Sequence, residues 1–218
     1  MPNGGSFREN VVFYQDGLTL RNAEGRHITD PVLGLDVEDR GEVAIGYRSE
    51  PFFDRIGHRT WGDPVPANAT DELAHVMSST VHGDPSTPIM RAYVGDPMQL
   101  RIGSGGDRGR MHTMQVGGHS WAENPLDPGS RRVALRGGIT TGSTVNIHIP
   151  STSPSGARGD YQYGDVFGTE TLSGGSWGIR RVYNQPGALT AGTPTTIGAV
   201  DTPYSTAHPL MPLTAAGS

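Results

Sequence analysis

The sequence predicts an all-β sandwich, and three observations carry that expectation. Over residues 88–183 short apolar runs recur at regular spacing, apolar and polar residues alternate within them, and glycine or proline clusters separate them. Alternation buries one face of each strand, and two such sheets must cover each other. Glycine (32) and proline (17) in 218 residues, with 34% hydrophobic residues, suit a turn-rich β protein with a modest core.

The elements follow in chain order. Asn10–Leu20 (N-V-V-F-Y-Q-D-G-L-T-L) reads as a hairpin turning at Asp16-Gly17. Residues 21–27 continue as a polar turn. Asp36, Glu38, Asp39 and Glu42 form an acidic run, read as a solvated loop because its oxygen spacing does not fit a calcium loop. Asp71–Ser78 is the one expected helix, capped by Thr70 or Asp71, with His75 on its exposed side. I-M-R-A-Y-V and M-Q-L-R-I then read as strands around a Gly-Asp-Pro turn. The glycine loop 103–109 lacks the G-K-[ST] ending of a phosphate loop and precedes a strand. Met111–Trp121, R-V-A-L-R, T-V-N-I-H-I, D-Y-Q-Y-G-D and G-S-W-G-I-R-R-V-Y complete the strands. After Tyr183 the chain is rich in Ala, Thr, Pro and Gly, too poor in apolar surface to offset its ordering entropy, and is expected to be loose.

Composition excludes several chemistries. All 17 basic residues are arginine, which removes Schiff-base and phosphate-loop lysines. There is no cysteine, hence no disulfide, thiolate nucleophile or blue-copper thiolate. A net charge of −5 without a basic block argues against nucleic acid as partner. No apolar run approaches the roughly 20 residues of a membrane span. The N-terminal residues show no apolar signal-peptide core. No G-x-S-x-G elbow is present, and nothing in the sequence singles out a pair of catalytic carboxylates.

Four segments carry a family resemblance: R-A-Y-V-G-D-P-M-Q-L-R-I, H-T-M-Q-V-G-G-H-S-W, S-T-V-N-I-H-I and G-S-W-G-I-R-R-V. Together they resemble a cupredoxin-type domain of the multicopper oxidases, of the large bacterial, manganese-oxidising type. The resemblance implies a cupredoxin-like Greek-key β-sandwich, copper, oxidase chemistry, neighbouring cupredoxin domains or subunits as partners, and an extracytoplasmic location. R-S-E-P-F-F and H-G-D-P-S-T-P resemble the linker between two such domains. The implied division is therefore 1–55 as the end of an upstream cupredoxin-like domain, 56–84 as linker, 85–183 as the cupredoxin-like domain and 184–218 as a flexible tail. A chain beginning inside one domain is expected to be a fragment, a split gene product or a subunit.

The same resemblance exposes damaged ligand positions. The family writes H-x-x-H-x-H-G-H where this chain has His112, Gln115, Gly117, Gly118 and His119. His112 keeps the first position, and the next two ligands are replaced by glutamine and glycine, neither a copper ligand of use. The complementary H-C-H segment should fall within residues 159–177, which hold no Cys, His or Met. Candidate metal residues are thus His112 and His119, with His82 as a possible interdomain ligand. An odd separation places His112 and His119 on opposite strand faces unless Gly117-Gly118 bends the chain. They read either as a weak metal site or as a retired ligand packed in the sandwich beside a hydrogen-bonded structural histidine. His148 is expected on the solvent face opposite Val145, Ile147 and Ile149. Met111 and Met114 are expected in packing, and His58 lies in a loop with no evident partner. The expected role is a scaffold portion or subunit of a multicopper-oxidase-type protein, or alternatively a copper-free β-sandwich binding or structural module.

Overall fold

The computed structural model describes residues 5–18, 25, 42–55, 73–105, 110–153, 155–184, 210 and 213. In them the strands are β1 (Arg8–Leu18), β2 (Glu42–Ile45), β3 (Met90–Tyr93), β4 (Met98–Ser104), β5 (Met111–Val116), β6 (Trp121–Ala122) and β7 (Arg132–Val133). They continue with β8 (Leu135–Thr140), β9 (Thr144–Ile149), β10 (Gly159–Asp165) and β11 (Trp177–Tyr183). Three short helices join them: α1 (Phe52–Arg55), α2 (Ser79–His82) and α3 (Thr169–Ser173). One sheet runs β2-β1-β4-β9, the other β3-β11-β10-β5-β8, and β6 pairs with β7 as a small ribbon. Pairs β1/β4 and β3/β11 are parallel; the other pairs are antiparallel. The all-β sandwich expected from alternation is the fold observed.

Side-chain alternation places the core between the two sheets. Val12 and Tyr14 of β1, Met98, Leu100 and Ile102 of β4, and Ile147 and Ile149 of β9 face Met114, Val116, Ile139 and Tyr163 of the other sheet. Gly103 admits the Phe13 ring, because a Cβ there would stand 2.7 Å from it. His148 takes the alternate phase of β9, opposite Ile147 and Ile149, and is half-buried.

Three local expectations differ from the structure. Asp16-Gly17 is not a hairpin turn: β1 runs straight through it, and the pairing with β2 shifts register between Gln15 and Leu18. Gly17, at φ 68°, absorbs that irregularity, and the aspartate beside it turns inward. The segment expected to belong to an upstream domain supplies β1 and β2, both in one sheet with β4 and β9. Parallel pairing of β1 along all of β4 makes this segment part of the same sandwich. Within the helix expected at Asp71–Ser78, the described residues 73–77 are mostly turn. Extended Ser78 (φ −78°, ψ 116°) separates them from α2.

The stretch read as a linker caps the outer face of the five-stranded sheet. Trp177 donates its indole N–H to the Glu50 carbonyl (2.7 Å), and Phe52 meets its ring edge-on. Arg55 lies over the same ring, donates to Glu50 Oε1 (2.8 Å), and reaches the carbonyls of Val76 and Gly83. A small apolar cluster of Val76, Phe52, Leu73 and Met77 fills in beneath. In the tail, the Leu210 carbonyl accepts a hydrogen bond from the Tyr93 hydroxyl (2.7 Å). The acidic residues at 36–39 and His58 lie outside the described residues, and of Glu42 only the backbone is described.

The cap closes on Gly175, whose φ is 112° and whose missing Cβ leaves room for the backbone nitrogens of Glu50 and Pro51 at 2.7 and 2.9 Å. Gly175→Ala therefore combines left-handed strain with a backbone clash. It is expected to cost about 2–4 kcal/mol in urea unfolding, with the cap segment the first region to lose amide protection.

Candidate functional site

The inward rows of three strands bring a polar cluster into the core. Tyr14 and Asp16 come from β1, His112 and Met114 from β5, and Asp165 from the end of β10. His112 and Asp165 are 0% exposed and Asp16 5%. His112 Nδ1 lies 2.7 Å from Asp165 Oδ2, and Nε2 lies 3.0 Å from Asp16 Oδ2. The other Asp165 oxygen accepts the backbone N–H groups of Thr113 (2.8 Å) and Phe167 (3.0 Å), so this carboxylate is fixed before it meets the ring. Tyr14 stacks flat on the imidazole, with centroids 4.4 Å apart and planes 8° apart, and its hydroxyl donates to Met114 Sδ at 3.7 Å. Asp16 Oδ1 is buried without a partner.

This geometry sets the protonation of the ring. A neutral imidazole has a single N–H, whereas two ionised carboxylates on opposite ring nitrogens call for two. Burial opposes the imidazolium, but the hydrogen bonds and charges of Asp16 and Asp165 outweigh it and raise the pKa from 6.5 to about 9. Burial, and next the Asp165 charge, raise the Tyr14 phenol well above its usual range. The cluster is a carboxylate–imidazolium–carboxylate clamp tying β1, β5 and β10 together.

The other candidate histidines are placed elsewhere. His119 follows β5 and donates from Nδ1 to the Gly117 carbonyl (2.6 Å), while its Nε2 accepts the Ser153 N–H (2.9 Å). Tyr161 packs edge-on against it at 5.0 Å. Burial, followed by the Arg180 charge, lowers its pKa to about 4, so the ring is neutral at physiological pH. His82 ends α2, in the cap outside the five-stranded sheet, with Nε2 buried and unpartnered. Among the described residues no group of three or more histidines or carboxylates could hold a metal ion. Met114 is in the core and Met111 is exposed.

Asp16 and Asp165 escaped the sequence reading. Asp16 sat in an apparent Asp-Gly turn and Asp165 at the end of a strand. The available signal was their phase: each falls on the inward row of its strand, Asp16 after Val12 and Tyr14, and Asp165 after Tyr163.

A second feature is an open polar cavity of about 430 Å³ between the β6–β7 ribbon and strands β8 and β9. Trp121, Glu123, Arg136, Thr144 and Asn146 are among the residues that line it.

No protein-family model matches the chain, and no curated protein matches it. Solved structures similar to it include the copper nitrite reductase from Nitrosomonas europaea, at 11% identity over 80% of this chain and 48% of that one, TM-score 0.45. A multi-copper oxidase from Pediococcus acidilactici matches at 11% identity over 82% of this chain and 27% of that one, TM-score 0.45. A copper-containing nitrite reductase from Thermus scotoductus matches at 15% identity over 80% of this chain and 30% of that one, TM-score 0.41. The chain spans less than half the length of these structures.

The clamp makes stability pH-dependent with a defined sign. A pKa raised on folding contributes stability that is complete below pH 6.5 and is lost as pH climbs through about 9. Unfolding free energy is expected to fall by about 3 kcal/mol across that window, measured by urea titration at several pH values. In His112→Gln this slope should vanish.

Proposed function

We propose that the chain is a cupredoxin-like portion or subunit of a multicopper-oxidase-type protein and serves there as a scaffold without copper of its own. The observation that carries this reading is the state of His112. It stands at the first ligand position of the resembled motif, yet both ring nitrogens are committed to buried carboxylates. A copper ion needs a free imidazole lone pair, and an imidazolium has none. The remaining donors are no better suited. Gln115 and Gly117 replace two ligands, no cysteine exists, and both nitrogens of His119 are engaged within the sandwich. The residues present do not fit a type 1 or trinuclear copper centre.

On this reading the clamp occupies the interior that a metal would otherwise organise. An imidazolium that donates one N–H to each of two aspartates joins the two sheets, as a metal joins its ligands. The domain keeps its shape, and therefore the surfaces by which it packs on neighbouring cupredoxin domains or subunits. Substrate oxidation and oxygen reduction, where the assembly performs them, belong to those neighbours.

A second reading, a copper-free binding module, draws on the cavity beside the β6–β7 ribbon. Its volume lies within the range of small-molecule sites, and its lining offers both hydrogen-bond donors and acceptors.

Copper loading followed by desalting tests the first reading. Less than a tenth of an equivalent, about the level of nonspecific retention, is expected to remain on both the parent chain and His112→Ala. One copper per chain that disappears in His112→Ala would overturn the scaffold reading.

A further inference from the structure

The cavity beside the β6–β7 ribbon lies where the two sheets end on the same side. Strand β8 is the last of one sheet and β9 the last of the other, residues 141–143 join them, and the ribbon lies against β9. The pairing of β5 with β8 gains one residue on β8: His112 faces Ile139, but Met114 faces Arg136. Gly138, at φ 72°, supplies the backbone for this bulge. Strict alternation from Ile139 would turn Gly137 and Leu135 inward. The extra residue brings Arg136 into the inward row instead, opposite Met114, at the open edge of the sandwich and in the wall of the cavity.

Among the described residues the Arg136 guanidinium forms no hydrogen bond or ion pair. Glu123, the carboxylate that feels its charge, is held by Arg131 on both oxygens (2.6 and 2.9 Å). That pair is neutral and leaves the Arg136 charge uncompensated. The Glu123 oxygens still offer acceptors, since Arg131 takes two of roughly four lone-pair positions. The Thr144 hydroxyl and the Asn146 amide add donors and acceptors from the other sheet. Val133 and Val145 pack on the core cluster that contains Trp121, so the walls are in place before a ligand arrives.

We propose that this cavity binds a sugar acid, a hexuronate unit either free or ending a polysaccharide chain, with its carboxylate on Arg136 and its hydroxyls on Glu123, Thr144 and Asn146. This names the ligand class of the binding-module reading and rests on it. The planar guanidinium matches a carboxylate in a two-bonded fork. The remaining polar groups take hydroxyls, and a fatty acid would leave them unpaired. A volume of about 430 Å³ accepts a sugar ring, and the open mouth lets a chain continue outward.

The test uses the full nitrogen-15-labelled chain, titrated at constant ionic strength with sodium galacturonate, galactose, sodium hexanoate and tri-galacturonate, and read from the amide shifts of the lining residues. Galacturonate is expected to bind saturably, with a Kd of about a millimolar and about tenfold more tightly than galactose or hexanoate. Arg136→Gln removes an exposed side chain with no hydrogen bond to lose, so the fold should stay. It should weaken galacturonate about tenfold and leave galactose unchanged. Thr144→Val should weaken both sugars alike, about threefold. A trimer more than about tenfold tighter than the monomer identifies a chain end as the ligand; otherwise the ligand is the free sugar acid. Galactose or hexanoate binding as well as galacturonate, or unchanged galacturonate affinity in Arg136→Gln, overturns the inference while the binding-module reading stands. No saturable shift with any of these ligands at about 100 mM overturns both.

Discussion

The structure depends on one charged contact inside the sandwich: one imidazolium held between two aspartates. Each member comes from a different strand, and the strands are far apart in sequence, β1, β5 and β10. The Asp16–His112 bond crosses between the sheets, whereas the His112–Asp165 bond joins neighbouring strands of one sheet. Such a contact fixes register, because slipping any of the three strands by one residue would turn its charged group outward and leave its partners buried and unpaired. The hydrophobic contacts around it, from Tyr14 stacked on the ring to Met114 beneath the Tyr14 hydroxyl, exclude water and strengthen the interaction.

The clamp also gives a structural reason for a histidine at position 112. A buried histidine without acceptors would be unsatisfied, and replacing it alone would leave two carboxylates facing each other in the core. The three residues are energetically coupled, so the histidine is held in place by structure whether or not any metal chemistry accompanies it. His119 shows a different outcome of burial. With a carbonyl and an amide as partners it is neutral, and it ties Ser153 to the end of β5.

Much of the fold was legible in the sequence, because strands announce themselves by alternation and their ends by glycine and proline. Val145, Ile147 and Ile149 told which face of β9 is buried, and His148 took the other phase. The misread places are those where a local signal competed with a distant one. Asp16-Gly17 has the chemistry of a tight turn, but parallel pairing of β1 along β4 overrides it, and the glycine serves a register shift instead. The boundary expected near residue 55 failed in a similar way. A segment resembling the end of another domain pairs here with β4, and strand pairing between residues about ninety apart leaves no local trace. Of the site, His112 was visible by motif. Its two aspartates were not, since nothing in a linear sequence shows that residues 16, 112 and 165 meet.

The most direct test of the clamp is the protonation state of His112, read from its ring nitrogen-15 and carbon-bound proton shifts by NMR across pH 5–10. The account predicts two protonated nitrogens at pH 7, with titration of that ring near pH 9 and His119 neutral throughout. A neutral, single-tautomer His112 at pH 7 would contradict it, and would return a ring lone pair to the interior of the sandwich.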